Sequence, residues 1–193
     1  MLISASDMVA EVPSYMIYCD PDEYSTIVNV WWEEIEIDCT VVVGDTVYTD
    51  ARIRLRGDSS RGYPKKCYRI TLSEQQPLDG RIEWNFNSEY LDHTYLHSWF
   101  FAWIMEQLDY PCFSIDHVKL YVNGTYIGLY IRGEPIDEQF LIDHGMNPDA
   151  NLYKASHDGA CLSRYDDVSS AWEKKANESE NWSDLCELID YLD

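Results

Sequence analysis

Positive charge is scarce in this chain, with 14 Lys and Arg against 35 Asp and Glu for a formal net charge of -21. A protein that wraps nucleic acid needs a broad basic face to neutralise phosphates, so this balance argues against one. No run approaches the ~20 apolar residues of a membrane-spanning helix. The first residues, Met1 to Met8, lack both a basic segment and a long apolar stretch, so no signal peptide is legible. The six cysteines, at 19, 39, 67, 112, 161 and 186, include no C-x-x-C pair and no His at zinc-finger spacing. In a chain that is 46% hydrophobic, buried free thiols are the expectation. Linkers, internal repeats and low-complexity tracts are absent too, which leaves one α+β domain over 1–193.

What little positive charge exists is concentrated. Seven of the 14 basic residues fall between Arg52 and Arg69, opposed within that stretch by Asp58 alone. Arg52, Arg54 and Arg56 alternate with Ile53 and Leu55, the period of a strand with one charged face and one core face. Gly57 to Pro64 carries two Gly, two Ser, an Asp and a Pro and reads as a loop, after which Cys67 to Leu72 resumes as a strand with Tyr68, Ile70 and Leu72 on one side. Strand, basic loop, strand is an arrangement suited to an anion. Backbone N–H groups from Gly57 to Ser60 form a candidate nest, joined by the hydroxyls of Ser59 and Ser60, while Arg56 and Arg61 offer forked donors. Lys65 and Lys66 occupy neighbouring positions, so they point to opposite sides and one must look inward or toward a cleft.

Elsewhere, Tyr15–Cys19 and 35–43 read as strands, the latter turning through Gly44-Asp45 into the next. Asp92 to Leu108 has helical apolar spacing, capped by Asp92 or Thr94, with Trp99 and Trp103 in core or lobe packing. Residues 118–131 form a hairpin through Asn123-Gly124, and Glu134 follows its second strand. Short helices are expected over 136–144 and 183–192. His93 and His97 stand at i, i+4 spacing without a third ligand and read as surface groups. Asp166-Asp167 lies in a Ser- and Asp-rich loop and reads as solvated surface.

Four ordered blocks carry a family resemblance. Arg54-Leu-Arg-Gly-Asp-Ser-Ser-Arg-Gly-Tyr-Pro-Lys-Lys-Cys-Tyr-Arg-Ile-Thr-Leu72 resembles the R-G-(N/D)-S-S and P-K-K-x-Y signature of the spore-coat protein H (CotH) kinase family. Leu120 to Asp137 is similar to that family's L-Y-x-N-G-x-Y-x-G-x-Y block ending in E-x-I-D, Asn151-Leu-Tyr-Lys154 to its N-L-Y-K, and Trp172-Glu-Lys-Lys175 with Asp184-Leu185 to a further pattern. The resemblance covers about residues 45–193. It implies the N-terminal portion of an atypical protein kinase, an antiparallel sheet with packed helices, that binds ATP and Mg²⁺ and phosphorylates Ser or Thr of a coat or secreted protein. On that reading Arg56, Gly57, Ser59, Ser60, Arg61, Lys65 and Lys66 hold the nucleotide phosphates. One of the lysines would play the usual kinase ATP lysine, with Glu134 orienting it or binding metal or nucleotide. The family's proton-accepting and metal-binding aspartates lie beyond residue 193, so a truncated domain is expected. The alternative is a non-catalytic CotH-like binding or structural module.

Overall fold

The computed structural model describes residues 11–156, 160–162, 168–177 and 181–192. Asp166, Asp167 and the first ten residues lie outside the described residues. The chain divides into two compact units, one ending at Pro135 and the other beginning at Ile136.

The first unit is a barrel of seven strands. In chain order they are β1 (Ser14–Cys19), β2 (Glu36–Val43), β3 (Thr46–Leu55), β4 (Tyr68–Thr71), β5 (Glu83–Asn87), β6 (Ile115–Val122) and β7 (Thr125–Gly133). Their order around the barrel is β1-β2-β3-β4-β5-β7-β6, with β6 returning to β1. This corrects the expectation of an antiparallel sheet. The sheet closes, and the β1–β6 pair that closes it is parallel. Its bonds run from the Lys119 amide to the Pro13 carbonyl (2.8 Å) and from the Asn123 amide to the Ile17 carbonyl (2.8 Å), and the Cys19 amide donates to the Asn123 side-chain oxygen (3.0 Å). Closure leaves no free strand edge, which removes the edge-pairing hazard of an open sheet.

Alternation decides which residues enter the barrel. Tyr15 and Ile17 of β1, Ile37, Cys39 and Val41 of β2, Ile53 and Leu55 of β3, Tyr68 and Ile70 of β4 and Trp84 and Phe86 of β5 are all buried. Val118, Leu120 and Tyr130 complete the interior from β6 and β7. Two-residue turns connect β2 to β3 and β6 to β7. In the second, Asn123 (φ 49°) and Gly124 (φ 78°) both have positive φ, as the Asn-Gly signal requires.

Two elements of this unit carried weaker sequence signals. Helix α1 (Pro21–Asn29) starts where Asp20 accepts from the Asp22 and Glu23 amides (2.8 and 3.1 Å), with Pro21 at its first position. Strand β5 has five residues, too few for alternation to stand out. Helix α2 (His97–Gln107) begins later than its apolar spacing suggests, and residues 92–96 form the turn that starts it. Asp92 is nevertheless the capping group, with one carboxylate oxygen accepting from the Leu96 (3.1 Å) and His97 (2.9 Å) amides. Trp99 and Trp103 are not core: no α2 residue is buried, and these two are 41% and 43% exposed. Residues 99–105 are apolar throughout, so their side chains surround the helix and cannot all face β6, the strand against which α2 lies.

The second unit contains α3 (Glu138–Asp143), β8 (Leu152–Ala155), α4 (Val168–Ala171), β9 (Trp172–Ala176) and α5 (Ser183–Leu192). β8 and β9 form an antiparallel pair. Asp184 of α5 accepts from the Asn151 amide group (2.7 Å) and the Tyr153 hydroxyl (2.5 Å), which joins the two downstream sequence blocks into one packed element. Among the described residues, no helix is long and apolar enough to cross a membrane.

The Asp92 cap generates a pH prediction. Bonds from the Thr94 hydroxyl and the His97 amide hold the Asp92 carboxyl well below its ordinary value of 3.8. A depressed carboxyl pKa contributes stability that is complete above the ordinary value and is lost as pH falls below it toward the folded-state pKa. Asp92→Asn should therefore lower the urea midpoint at pH 7, with the gap to wild type closing as pH is taken below 3.8. Urea titrations monitored by circular dichroism across pH 2–7 measure this directly.

Candidate functional site

The basic segment occupies one connection of the barrel. β3 pairs antiparallel with β4, and between them Ser59–Gly62 forms one turn of 3-10 helix. Gly57 opens that turn at φ 98°, and a Cβ there would lie 2.0 Å from Ser60 Oγ. Only glycine suits both the backbone angle and the space. The Arg61 amide donates to Asp58 O and the Tyr63 amide to Ser60 O, which closes the turn.

The charge of the segment is less isolated than its sequence suggests. Arg52 pairs with Glu36 (2.6 Å), Arg61 with Glu34 (3.3 Å) and Arg69 with Glu83 (3.0 Å), all acids brought from other parts of the chain. Exposed pairs of this kind contribute only ~0–1 kcal/mol each to stability, but they offset local positive potential. Arg56 donates to Asn87 Oδ1, and burial lowers its pKa.

The two lysines go to different places, as their adjacent positions predict. Lys65 is held in a cage: its ammonium donates to Ser88 O (2.7 Å), Tyr95 Oη (2.8 Å) and Leu129 O (2.5 Å). It also lies over the Tyr95 and Tyr130 rings at 4.7 and 4.3 Å. Three donors meet three acceptors, so no Lys65 hydrogen is left for a ligand in this arrangement. Lys66 donates to Arg61 O (2.6 Å), lies 5.9 Å from the Trp31 ring centre and is 8% exposed, and burial lowers its pKa.

Glu134 pairs with a different cation. It accepts from Arg81 Nη1 (3.1 Å) and from the Ser114 amide (2.6 Å), and Arg81 also donates to Pro135 O (3.1 Å). Both side chains are 4% exposed. Among the described residues neither Lys65 nor Lys66 bonds to Glu134. Sequence reasoning did not single out Arg81, whose position after the Asp79-Gly80 turn carries no motif. Its signal was a lone cation in a stretch with no other basic residue between Arg69 and Lys119.

Beside the turn lies a cavity of about 370 Å³, within the usual range for small-molecule pockets. Its lining includes Ser60, Tyr63, Asn87, Tyr90, Asp92 and His97. Tyr63 and Tyr90 stack with ring centres 5.1 Å apart. Of the expected phosphate residues, the fold thus brings Ser60 to the cavity and, through Asn87, Arg56 to its wall. Arg61 does not line the cavity, and its Nη1 is buried with no hydrogen-bond partner among the described residues. A buried guanidinium nitrogen without an acceptor is costly unless something accepts from it. No group of three or more His, Cys, Asp or Glu residues suited to a metal ion occurs among the described residues.

The family model described as CotH kinase protein matches residues 53–193, from near the end of β3 onward. The chain belongs to this family. A curated relative, the inner spore coat protein H of Bacillus subtilis (strain 168), is 22% identical over 149 residues, covering 77% of this chain and 41% of that protein. The chain therefore spans about two fifths of the length of that relative. Within this CotH family chain, the P-K-K block supplies the caged Lys65 and the buried Lys66, and the block ending at Asp137 supplies Glu134.

These contacts separate structural from available groups. Glu134→Ala removes a buried ion pair with Arg81 and the acceptor of the Ser114 amide and should lower folding stability by roughly 3 kcal/mol. Arg61→Ala, whose ion-pair partner is the exposed Glu34, should change stability by less than about 1 kcal/mol. Urea unfolding of both variants checks the contrast.

Proposed function

We propose that this chain is the ATP-phosphate-binding part of a CotH-type protein kinase, which with Mg²⁺ transfers phosphate to Ser or Thr of a coat or secreted protein. The family match over 53–193 supports the kinase class, and the name of the Bacillus subtilis relative supports a coat-associated substrate. The observation that carries the phosphate role is the 3-10 turn that begins at the left-handed Gly57, because its Ser60 lines the cavity. The turn's amides, the Ser59 and Ser60 hydroxyls, Arg61 and Lys66 make up the phosphate grip, and the cavity walled by Tyr63 and Tyr90 suits a flat base. Lys65 and Glu134 act on this site through the fold: the lysine ties β7 to the segments around Ser88 and Tyr95, and the glutamate anchors Arg81. Phosphoryl transfer depends chiefly on positioning and charge neutralisation, so this grip supplies the ground for the reaction.

A second reading is a CotH-type module that binds a phosphorylated or nucleotide ligand without transferring phosphate. Assaying phosphate transfer by the complete gene product separates the two. For the binding claim common to both, isothermal titration with Mg-ATP should give saturable binding. Arg61→Ala and Lys66→Ala should each weaken it by about tenfold, the value of one charge-assisted contact. Unchanged affinity in both variants, or no saturable heat from the wild type, overturns the assignment.

A further inference from the structure

Two of the six cysteines meet inside the barrel. In the antiparallel pairing of β1 with β2, Cys19 stands directly opposite Cys39. Both belong to the inward row: Tyr15, Ile17 and Cys19 on β1 face Val43, Val41 and Cys39 on β2. Cys39 is 8% exposed, and Cys19 is half-buried against the same core. Both are free thiols in this structure.

The backbone shows which kind of opposed pair this is. The Pro13 and Ile17 carbonyls and the Cys19 amide all bond toward β6, through Lys119 and Asn123. Odd-numbered residues of β1 therefore spend their backbone groups on β6, and their pairs with β2 are of the non-hydrogen-bonded type. Opposed Cα atoms in such pairs lie about 4.5 Å apart with side chains close together. That is within the range of about 4.4–6.8 Å that disulfides span.

We propose that Cys19 and Cys39 form an oxidisable cross-strand pair, a modification site for a small-molecule disulfide such as oxidised glutathione. The half-buried Cys19, as its thiolate, attacks one sulfur of the oxidant and releases one glutathione thiolate. The Cys39 sulfur, giving up its proton, then attacks the Cys19 sulfur of the mixed disulfide and releases the second. Two protein thiols lose two electrons and two protons, and one glutathione disulfide becomes two thiols. Burial raises the pKa of both thiols, Cys39 to about 12, so at neutral pH the pair stays largely protonated and reacts slowly unless oxidant is plentiful.

The bond would have a structural consequence. It closes the loop 20–38, which holds α1 and the residues that follow it. Within that loop, Glu34 pairs with Arg61, and the Trp31 ring lies against Gly62, 3.5 Å from where a Cβ would stand. Oxidation thus staples both ends of the strap that lies on the basic turn. This inference is independent of the nucleotide reading.

The test is to incubate the folded chain with oxidised glutathione, alkylate the remaining thiols and map the peptides without reduction. A Cys19–Cys39 crosslinked peptide is expected, with a melting temperature roughly 5–10 °C above the reduced protein. Dithiothreitol should reverse the shift, and Cys19→Ser should abolish it. The exposed Cys161 and Cys186 report whether the oxidant acted. If they are oxidised while Cys19 and Cys39 are recovered alkylated, or if the shift persists in Cys19→Ser, the proposal is wrong. The wild-type peptide map decides the matter even if a serine at the more deeply buried position 39 prevents folding.

Discussion

The parallel seam between β1 and β6 is the constraint on which the first unit depends. Without it the strands would form an open sheet with two exposed edges and one face of Ile, Val, Leu and aromatic residues turned to water. With it, those residues close on one another around Ile17, Ile53, Val118 and Leu120, all fully buried. Asn123 serves this seam twice, its amide bonding to Ile17 and its side-chain oxygen to Cys19, while its backbone makes the β6–β7 turn. A residue chosen for positive φ thus also locks the closing strand.

Closure also sets the surroundings of the basic segment. Because β2 and β4 flank β3, and β5 follows β4, Glu36 and Glu83 reach Arg52 and Arg69 diagonally across neighbouring strands, two residues from their opposed partners Arg54 and Thr71. The strap after α1 delivers Glu34 to Arg61 and Trp31 to Lys66. Among the described residues Arg54, Arg56 and Lys66 bond only to neutral acceptors, so no bonded acid offsets their positive charge. Lys65, one residue away from Lys66, is consumed by two backbone carbonyls and a tyrosine hydroxyl. Gly128 makes room for its stem, since at φ 133° a Cβ there would lie 3.0 Å from Lys65 Cε.

Much of the fold was legible from local pattern. Alternation at Arg52–Leu55 and at Tyr68–Leu72 predicted the inward faces of β3 and β4, and Asn123-Gly124 predicted its hairpin. The basic loop proved to be a turn, and the four family blocks led to the family. Helix α1 was readable in principle from Asp20-Pro21 with two acids in its first turn, but it is nine residues long and only Ile27 is buried. The core alternative for the tryptophans of α2 fails because helical spacing reports only that residues can share a face. It does not report that a partner covers that face.

The sequence alone determined the periods, turns and caps, because these depend on residues within about four positions of one another. It also determined that positive charge would be concentrated between 52 and 69. Only the tertiary structure decided that the sheet closes, that Lys65 is caged while Lys66 is not, that Glu134 pairs with Arg81, and that Cys19 faces Cys39. Each of these joins groups far apart in the chain, and such pairings depend on strand order and register, for which no local pattern carries the information.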